Sequence, residues 1–173
     1  THIKLYVCVG LFITASAYAE MCSNERNRMT TRSSQYPVAD FIINRWSSRA
    51  LDHTKEVSDH DLMTLFTAAS WAPSSFNNQP WRFVYAKRGT QEWQLLFDTM
   101  VEFNQSWAKN AAVLVVIVSK DTFDFNGSPC RTHSFDTGAA WQNLSLQGSL
   151  LGLVVHGMEG FDYAKARTAI KLP

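Results

Sequence analysis

Apolar and polar positions along this chain switch between a helical period and short unbroken apolar runs. The segments with helical spacing predict five helices, at 38–47, 59–71, 90–103, 134–151 and 163–170. β-Prone segments predict three strands, at 81–86, 111–118 and 153–156. The second strand contains almost only Ala, Val, Leu and Ile without alternation, which predicts a central strand covered on both faces. This order of elements predicts one α+β domain with helices packed on a central sheet.

Residues at the segment ends support these boundaries. Ser58 followed by Asp61 fits a capping box, and it precedes a helix that stops before Pro73. Gly152 begins the turn after the long helix 134–151. Asp162 is placed to cap the last helix. The boundaries therefore follow from local hydrogen-bonding chemistry as well as from periodicity.

The first twenty residues resemble a secretory signal peptide. Lys4 is followed by an apolar run at 5–15 and by an Ala-x-Ala ending at 17–19. The run is too short for a transmembrane helix, which needs about 20 apolar residues. Because the chain begins with Thr1 and not with methionine, an over-extended reading frame or an unstructured leader is the alternative to export.

The other end of the chain is abrupt. It stops at Leu172-Pro173, directly after a helical stretch and where a strand would be expected. We therefore expect a folded domain at 37–173 that is incomplete at its C-terminus. The segment 1–36 is expected to be a leader, signal-like or unstructured.

Charge and cysteine usage exclude several classes of function. The 173 residues carry 16 basic and 15 acidic side chains, a formal net charge of +1. This balance provides no strongly basic surface that would bind nucleic acid or associate stably with an anionic membrane. The three cysteines have neither disulfide-framework nor metal-site spacing, so no metal site is expected. The expected location is the cytoplasm, or outside the cell if the segment 4–19 is a true signal.

The first segment with binding chemistry is Arg45-Trp46-Ser47-Ser48-Arg49. Two guanidinium groups and a hydroxyl within five residues can surround one phosphate with charge-assisted hydrogen bonds. A solvated basic helix end, favoured by the helix dipole, is the alternative for this segment alone.

The second segment is the loop Pro73-Ser74-Ser75-Phe76-Asn77-Asn78-Gln79-Pro80-Trp81. Its prolines fix the path of the chain, and Asn77 and Asn78 offer paired amide donors and acceptors. Such a pair complements a ring edge that carries both carbonyl and N–H groups. The alternative is an Asn/Pro turn that satisfies its own backbone.

The third segment is Gly157-Met158-Glu159-Gly160-Phe161-Asp162. Glycines on both sides of Glu159 let the backbone approach a flat ligand closely. A glycine-flanked turn between a strand and a helix is also commonplace. No GxxxxGK[ST] or GxGxxG pattern is present, which argues against a P-loop or Rossmann nucleotide site.

In this order and at these spacings, the three segments resemble the nitroreductase family of flavin enzymes, from about Val38 to the last residue. The resemblance implies an α+β nitroreductase-like fold with a mostly antiparallel central sheet flanked by helices. It also implies a homodimer with FMN in the interface. NADH or NADPH would supply a hydride, which the flavin would pass to nitroaromatics, quinones or related small-molecule acceptors.

Carried over by motif position, the resemblance gives each segment a role. Arg45, Ser47 and Arg49, with Trp46 between them, would hold the FMN phosphate and ribityl chain. Asn77 would bond the pyrimidine edge of the isoalloxazine. Two further sets would line the flavin: Pro73, Ser74 and Ser75 from the partner subunit, and Glu159 and Gly160 beside the ring nitrogen N5. No catalytic side chain is expected, because the flavin carries the chemistry.

Three other functions stay open at this point. A relative with the same fold could perform other flavin chemistry, such as reductive dehalogenation. A non-catalytic flavin-binding remnant is favoured if both unusual ends are real. An exported binder of apolar ligands is a more distant alternative.

Overall fold

The computed structural model describes residues 3–4, 10–14 and 32–172. Its elements in chain order are β1 (Ile3–Lys4), β2 (Gly10–Thr14), α1 (Asp40–Asn44), α2 (Asp59–Ser70), β3 (Trp81–Lys87), α3 (Gln91–Phe97), α4 (Glu102–Ala108), β4 (Val113–Lys120), α5 (His133–Leu150), β5 (Leu153–His156) and α6 (Tyr163–Ala169). A short 3-10 turn, Ser75–Asn77, lies between α2 and β3. None of the helices in these ranges is both long enough and apolar enough to cross a membrane.

Strand β4 is the centre of the sheet. On one side it pairs with β3 along its length, from Trp81 opposite Ser119 to Lys87 opposite Val113. On its other side it pairs with β1 near one end and with β2 near the other. β5 follows beyond β2. All strand pairings in the described ranges are antiparallel, which confirms the predicted α+β class and sheet.

The prediction that β4 is covered on both faces is confirmed. Successive residues alternate between two hydrophobic clusters, as the period of two requires. One cluster joins the β4 residues 113, 115 and 117 to α2 and α5 through Leu62, Leu65, Ala69, Ala140 and Leu144. The other joins 114, 116 and 118 to α3, α4 and α6 through Trp93, Leu96, Trp107, Ala108 and Ala166. Helices therefore lie on both faces of the sheet.

Two predicted helices have different limits in the structure. The predicted helix 90–103 is wrong as a single helix, because α3 ends at Phe97 and α4 begins at Glu102. In the break, Met100 forms an antiparallel bridge with Phe161. The Val101 N–H donates to the Gly160 carbonyl at 3.0 Å instead of continuing a helix. A contact 59 residues away along the chain therefore interrupts a locally helical pattern.

The predicted helix 38–47 is shorter in the structure and spans only Asp40–Asn44. Phe41 and Ile42, which give the segment its helical period, are exposed. A helix is stabilised mostly by the packing of its apolar face. The exposed side chains here provide little such packing, so further helical turns are not stabilised. Arg45 follows with extended backbone, φ −67° and ψ 131°.

The predicted caps are present. The Ser58 hydroxyl accepts a hydrogen bond from Asp61 N at 3.0 Å, and the Asp162 carboxylate accepts one from Lys165 N at 3.0 Å. Gly152 turns the chain out of α5 with φ of +72°, a value that favours glycine.

Part of the predicted leader lies in the sheet. Gly10–Thr14 forms β2, paired with β4 on one side and β5 on the other. These residues therefore form a strand and are not part of an unstructured leader. Their apolar, β-prone side chains suit a position in a sheet. Apart from β1, the other residues of the predicted leader up to residue 31 lie outside the described residues.

Two glycines of α5 should respond oppositely to alanine. A Cβ on Gly148 would lie 2.6 Å from Val155 Cγ2, whereas one on Gly138 meets nothing within 4 Å. We expect Gly148→Ala to lower the free energy of unfolding by about 1–3 kcal/mol through overpacking. Gly138→Ala should raise it by about 0.5–1 kcal/mol through helix propensity. Urea unfolding of the two variants measures this, and equal effects would contradict the close packing of α5 on β5.

Candidate functional site

The segment 45–49 presents two arginines that have no acidic partner among the described residues. The Arg45 guanidinium donates to the Ser47 hydroxyl at 3.5 Å. The Arg49 guanidinium carbon lies 5.2 Å from the centre of the Phe103 ring, in cation–π geometry. Within the described ranges, neither arginine forms an ion pair. Arg45 is the C-cap residue of α1, whereas Arg49 lies outside the helix. The segment is therefore more than the basic end of a helix.

His156 anchors the middle of this segment. Its Nδ1 donates a hydrogen bond to the Ser48 carbonyl at 3.0 Å, so the proton of the neutral ring sits on Nδ1. Its ring packs on Trp107 with centroids 4.4 Å apart. Ser48 is buried, and its hydroxyl accepts from Ala50 N at 3.1 Å. The end of β5 therefore fixes the backbone between the two arginines.

The surroundings of His156 disfavour its charged form. Burial lowers the pKa of His156 below its ordinary value of 6.5. The hydrogen bond to Ser48 opposes this, and the positive charges of Arg49 and Arg45 add to the lowering. Since Arg49 and Arg45 both act on His156, the three groups form one electropositive neighbourhood.

The loop 157–160 is held against α4 through Gly160. The Gly160 carbonyl accepts from Val101 N and from Asn104 Nδ2, both at 3.0 Å. A Cβ on Gly160 would lie 2.6 Å from Asn104 Nδ2, so a side chain here would displace the asparagine. Glu159 is exposed, and its carboxylate accepts from the Tyr163 hydroxyl at 3.3 Å.

Helix α4 brings these two segments together. The Phe103 ring contacts the Arg49 guanidinium, and the Asn104 amide donates to the Gly160 carbonyl. The Trp107 ring packs on the His156 ring. Residues three and four apart on a helix share a face, so Phe103 and Trp107 lie on one side of α4. The arginine segment and the glycine-flanked loop, more than 100 residues apart in sequence, are thus neighbours at one end of this helix.

The loop 73–81 has a strained backbone. Phe76, Asn77 and Gln79 have φ of 52°, 52° and 47°, in the left-handed region that non-glycine residues rarely adopt. Such residues each cost about 1–3 kcal/mol and persist only where the surrounding contacts impose them. In proteins generally, such residues cluster at binding and active sites.

The predicted pair Asn77 and Asn78 is divided between two roles. Asn78 is buried, and its side chain donates to Thr122 O at 3.2 Å and accepts from Asp124 N at 2.9 Å. Asn77 is exposed, and its side chain makes no hydrogen bond among the described residues. Asn78 therefore joins two loops, whereas the Asn77 amide stays exposed.

The first residues of the loop 73–81 also have defined surroundings. Pro73 is exposed, and the Ser74 hydroxyl accepts from Gln79 N at 3.0 Å. Ser75 N donates to the Asp136 carboxylate at 3.0 Å. Across the described ranges, no hydrogen bond or ring contact joins this loop to 45–49 or to 157–160. The structure thus brings two of the three predicted segments together within one chain.

Sequence reasoning missed three residues that shape these segments. Asn104 and Asp136 stand inside helical patterns, and His156 ends a strand. Their partners are backbone groups 56, 61 and 108 residues away along the chain. No local pattern could have revealed those contacts.

Comparisons with known proteins agree on one family. The Nitroreductase family model matches residues 42–173. The crystal structure of an oxidoreductase containing FMN is 43% identical, with a TM-score of 0.77, over 82% of this chain and 73% of that one. A nitroreductase from Desulfovibrio desulfuricans, solved in complex with FMN, is 26% identical with a TM-score of 0.55, over 68% of this chain and 65% of that one.

Among curated proteins, the major NAD(P)H-flavin oxidoreductase of Aliivibrio fischeri is 30% identical over 87 residues, which are 49% of this chain. The match spans only 40% of the length of that relative. The solved relatives share the fold of the described domain, and the family model covers well over half of the sequence. The chain belongs to the nitroreductase family.

Proposed function

We propose that this chain binds FMN and transfers a hydride from NADH or NADPH, through the flavin, to nitroaromatic, quinone or related acceptors. One observation carries the proposal. Arg45 and Arg49, which have no acidic partner in the described ranges, lie beside the loop that ends at Gly160. Two guanidinium groups that have no acidic partner among the described residues, next to a glycine-containing loop, suit a ligand with both a phosphate and a flat ring.

The residues present fit FMN in three respects. The two arginines, which have no acidic partner among the described residues, provide charge and donors for a phosphate together with the Ser47 hydroxyl. Gly160 carries no side chain, and Val101 N and Asn104 Nδ2 hold its carbonyl, so the loop 157–160 offers a fixed backbone to a flat ring. Asn77 keeps both its amide donor and its acceptor, as a pyrimidine edge requires. Trp46, Pro73, Ser74, Ser75 and Glu159 complete the proposed binding set.

The chain's own contribution would be binding and orientation. When bound, FMN supplies the capacity to accept and donate a hydride. Arg45, Ser47 and Arg49 would fix the phosphate end, and Gly160 would let the backbone approach the ring. The names of the relatives support this function, since they include an oxidoreductase containing FMN and an NAD(P)H-flavin oxidoreductase.

We also propose that two copies of the chain form the complete site. Among the described residues, the loop 73–79 makes no hydrogen bond or ring contact to the other two segments, which leaves it available to the site of a second copy. A groove of about 650 Å³ between α2 and α5, which includes Met63 and Trp71, supports this homodimer. Large apolar side chains are exposed at Trp71, at Phe76 and along the segment 36–46, at Tyr36, Val38, Phe41, Ile42 and Trp46.

For location, we propose the cytoplasm. The position of Gly10–Thr14 between β4 and β5 supports this, because removal of a signal peptide would remove that strand.

The proposed function predicts a coloured protein with a two-step redox cycle. Full-length chain reconstituted with FMN should show an oxidised-flavin spectrum. NADH or NADPH should bleach it without oxygen, and a quinone or nitroaromatic should restore it. A chain that retains no FMN would refute the proposal. A flavin-loaded chain that neither nicotinamide reduces would favour the non-catalytic alternative.

The arginines should bind the phosphate end of the cofactor specifically. Because hydrogen bonds to charged groups contribute about 1.5–3 kcal/mol, Arg45→Ala and Arg49→Ala should each raise the Kd for FMN roughly 10- to 100-fold. Riboflavin, which lacks the phosphate, should bind the variants and the wild type equally. Flavin fluorescence titration measures both constants. Lys109→Ala removes an exposed charge elsewhere and should leave both unchanged. A parallel loss of riboflavin binding would count against the phosphate role.

His156 should make the FMN-free protein less stable in mild acid. Its pKa is lower in the folded chain than the unfolded value of about 6.5, so the unfolded chain takes up the proton first. This contribution to stability is present above pH 6.5 and is lost as the pH falls toward the lowered folded pKa. Urea unfolding at pH 7.5 and 5.5 should show a larger decrease for wild type than for His156→Asn, whose amide can still donate to Ser48 O. Equal decreases would refute this expectation.

A further inference from the structure

A buried carboxylate holds the strained loop from the protein interior. Asp136 lies in the first turn of α5 and is only 4% exposed. Its Oδ2 accepts hydrogen bonds from Ser75 N and from the Thr132 hydroxyl, both at 3.0 Å. Within the described chain no basic side chain pairs with it. Burying a carboxylate is costly unless donors satisfy it, so these two donors and the α5 N-terminus account for its presence.

The loop conformation depends on a small number of such anchors. The left-handed residues Phe76 and Asn77 directly follow Ser75. On their C-terminal side, Asn78 bonds the neighbouring loop. On their N-terminal side, the bond from Ser75 N to Asp136 links the loop to a core helix 61 residues away in sequence. The contacts of Asp136 and Asn78 together clamp the strained residues from both sides. Removing the contact on one side should let the strained residues relax.

The same bonds determine which groups of the loop can face a ligand. The backbone N–H groups of 75, 77, 78 and 79 are all donated within the protein. Among the N–H groups and polar side chains of residues 75–77, three have no hydrogen bond to a described residue: the Ser75 hydroxyl, the Phe76 N–H and the Asn77 side chain. The clamp therefore both shapes the loop and turns this set outward.

We propose that Asp136 is a positioning residue of the flavin site. It acts through Ser75 N, and it holds the Ser75 hydroxyl and the Asn77 amide where FMN binds. This inference rests on the proposed function, and it goes beyond it by assigning a role to a buried residue on another element. Only the acceptor oxygen is required, so asparagine, which keeps a carbonyl oxygen there, should replace aspartate.

Three variants of the full chain separate positioning from general stability. Asp136→Ala removes the acceptor, and Asp136→Asn restores it. Thr137→Val serves as the matched control, because it removes a buried hydrogen bond one residue further along α5, from Thr137 Oγ1 to His133 O at 2.8 Å, without touching the loop. Two quantities are measured: hydrogen–deuterium exchange of the 75–79 amides in FMN-free protein, and the Kd for FMN.

We expect Asp136→Ala to speed exchange of the loop amides at least tenfold and to raise the Kd for FMN at least tenfold. Asp136→Asn and Thr137→Val should stay within about threefold of wild type in both measurements, although Thr137→Val lowers Tm. Unchanged loop exchange in Asp136→Ala, or an equal rise in Kd in Thr137→Val, would overturn the proposal. Faster exchange with an unchanged Kd would also overturn it.

A second pair of variants covers the case in which Asp136→Ala does not fold. Ser75→Pro removes the donor of the same bond, and Ser74 already has the extended ψ of 153° that a following proline requires. Ser75→Ala corrects for the lost hydroxyl. Only the proline variant should speed exchange at 76–79 and weaken FMN binding further, and equal behaviour would refute the clamp. A wild-type chain that binds no FMN would refute the proposed function instead, because the exchange measurement needs no flavin.

Discussion

Burial of β4 on both faces is the constraint on which the rest of the structure depends. Its alternate residues 113, 115 and 117 require cover from α2 and α5, and 114, 116 and 118 require it from α3, α4 and α6. Once both layers are in place, the ends of the covering helices lie at defined positions on the sheet. The arginine segment and the glycine loop meet on α4, whereas the strained loop is tied to α5. The candidate site is thus divided between the two helical layers by the packing of one strand.

Helix α4 shows how a short element can organise distant sequence. It has only seven residues, yet Phe103, Asn104 and Trp107 contact Arg49, Gly160 and His156. Its start coincides with the bridge between Met100 and Phe161. The break between α3 and α4 is therefore part of the site architecture, because a continuous helix would not free Val101 N to bind the Gly160 carbonyl.

The sequence predicted those features whose causes are local. The capping chemistry of Ser58 and Asp162 and the apolar run of β4 act over a few residues, and the structure contains all three. The split of 90–103 depends on Phe161, and the different roles of Asn77 and Asn78 depend on Thr122 and Asp124. Adjacent asparagines have the same chemistry, so only the fold decides which one is buried. The binding roles of the ten predicted site residues remain predictions.

The strained loop has a consequence for the energetics of recognition. Glycine would adopt the left-handed conformation without strain, yet phenylalanine, asparagine and glutamine stand at 76, 77 and 79. The folded chain therefore carries the cost of this conformation before any ligand arrives. A partner that meets the loop finds it already ordered, and little conformational entropy remains to be lost on binding. Selectivity at such a loop would come from shape fixed in advance, so ligands that require it to adapt would be penalised.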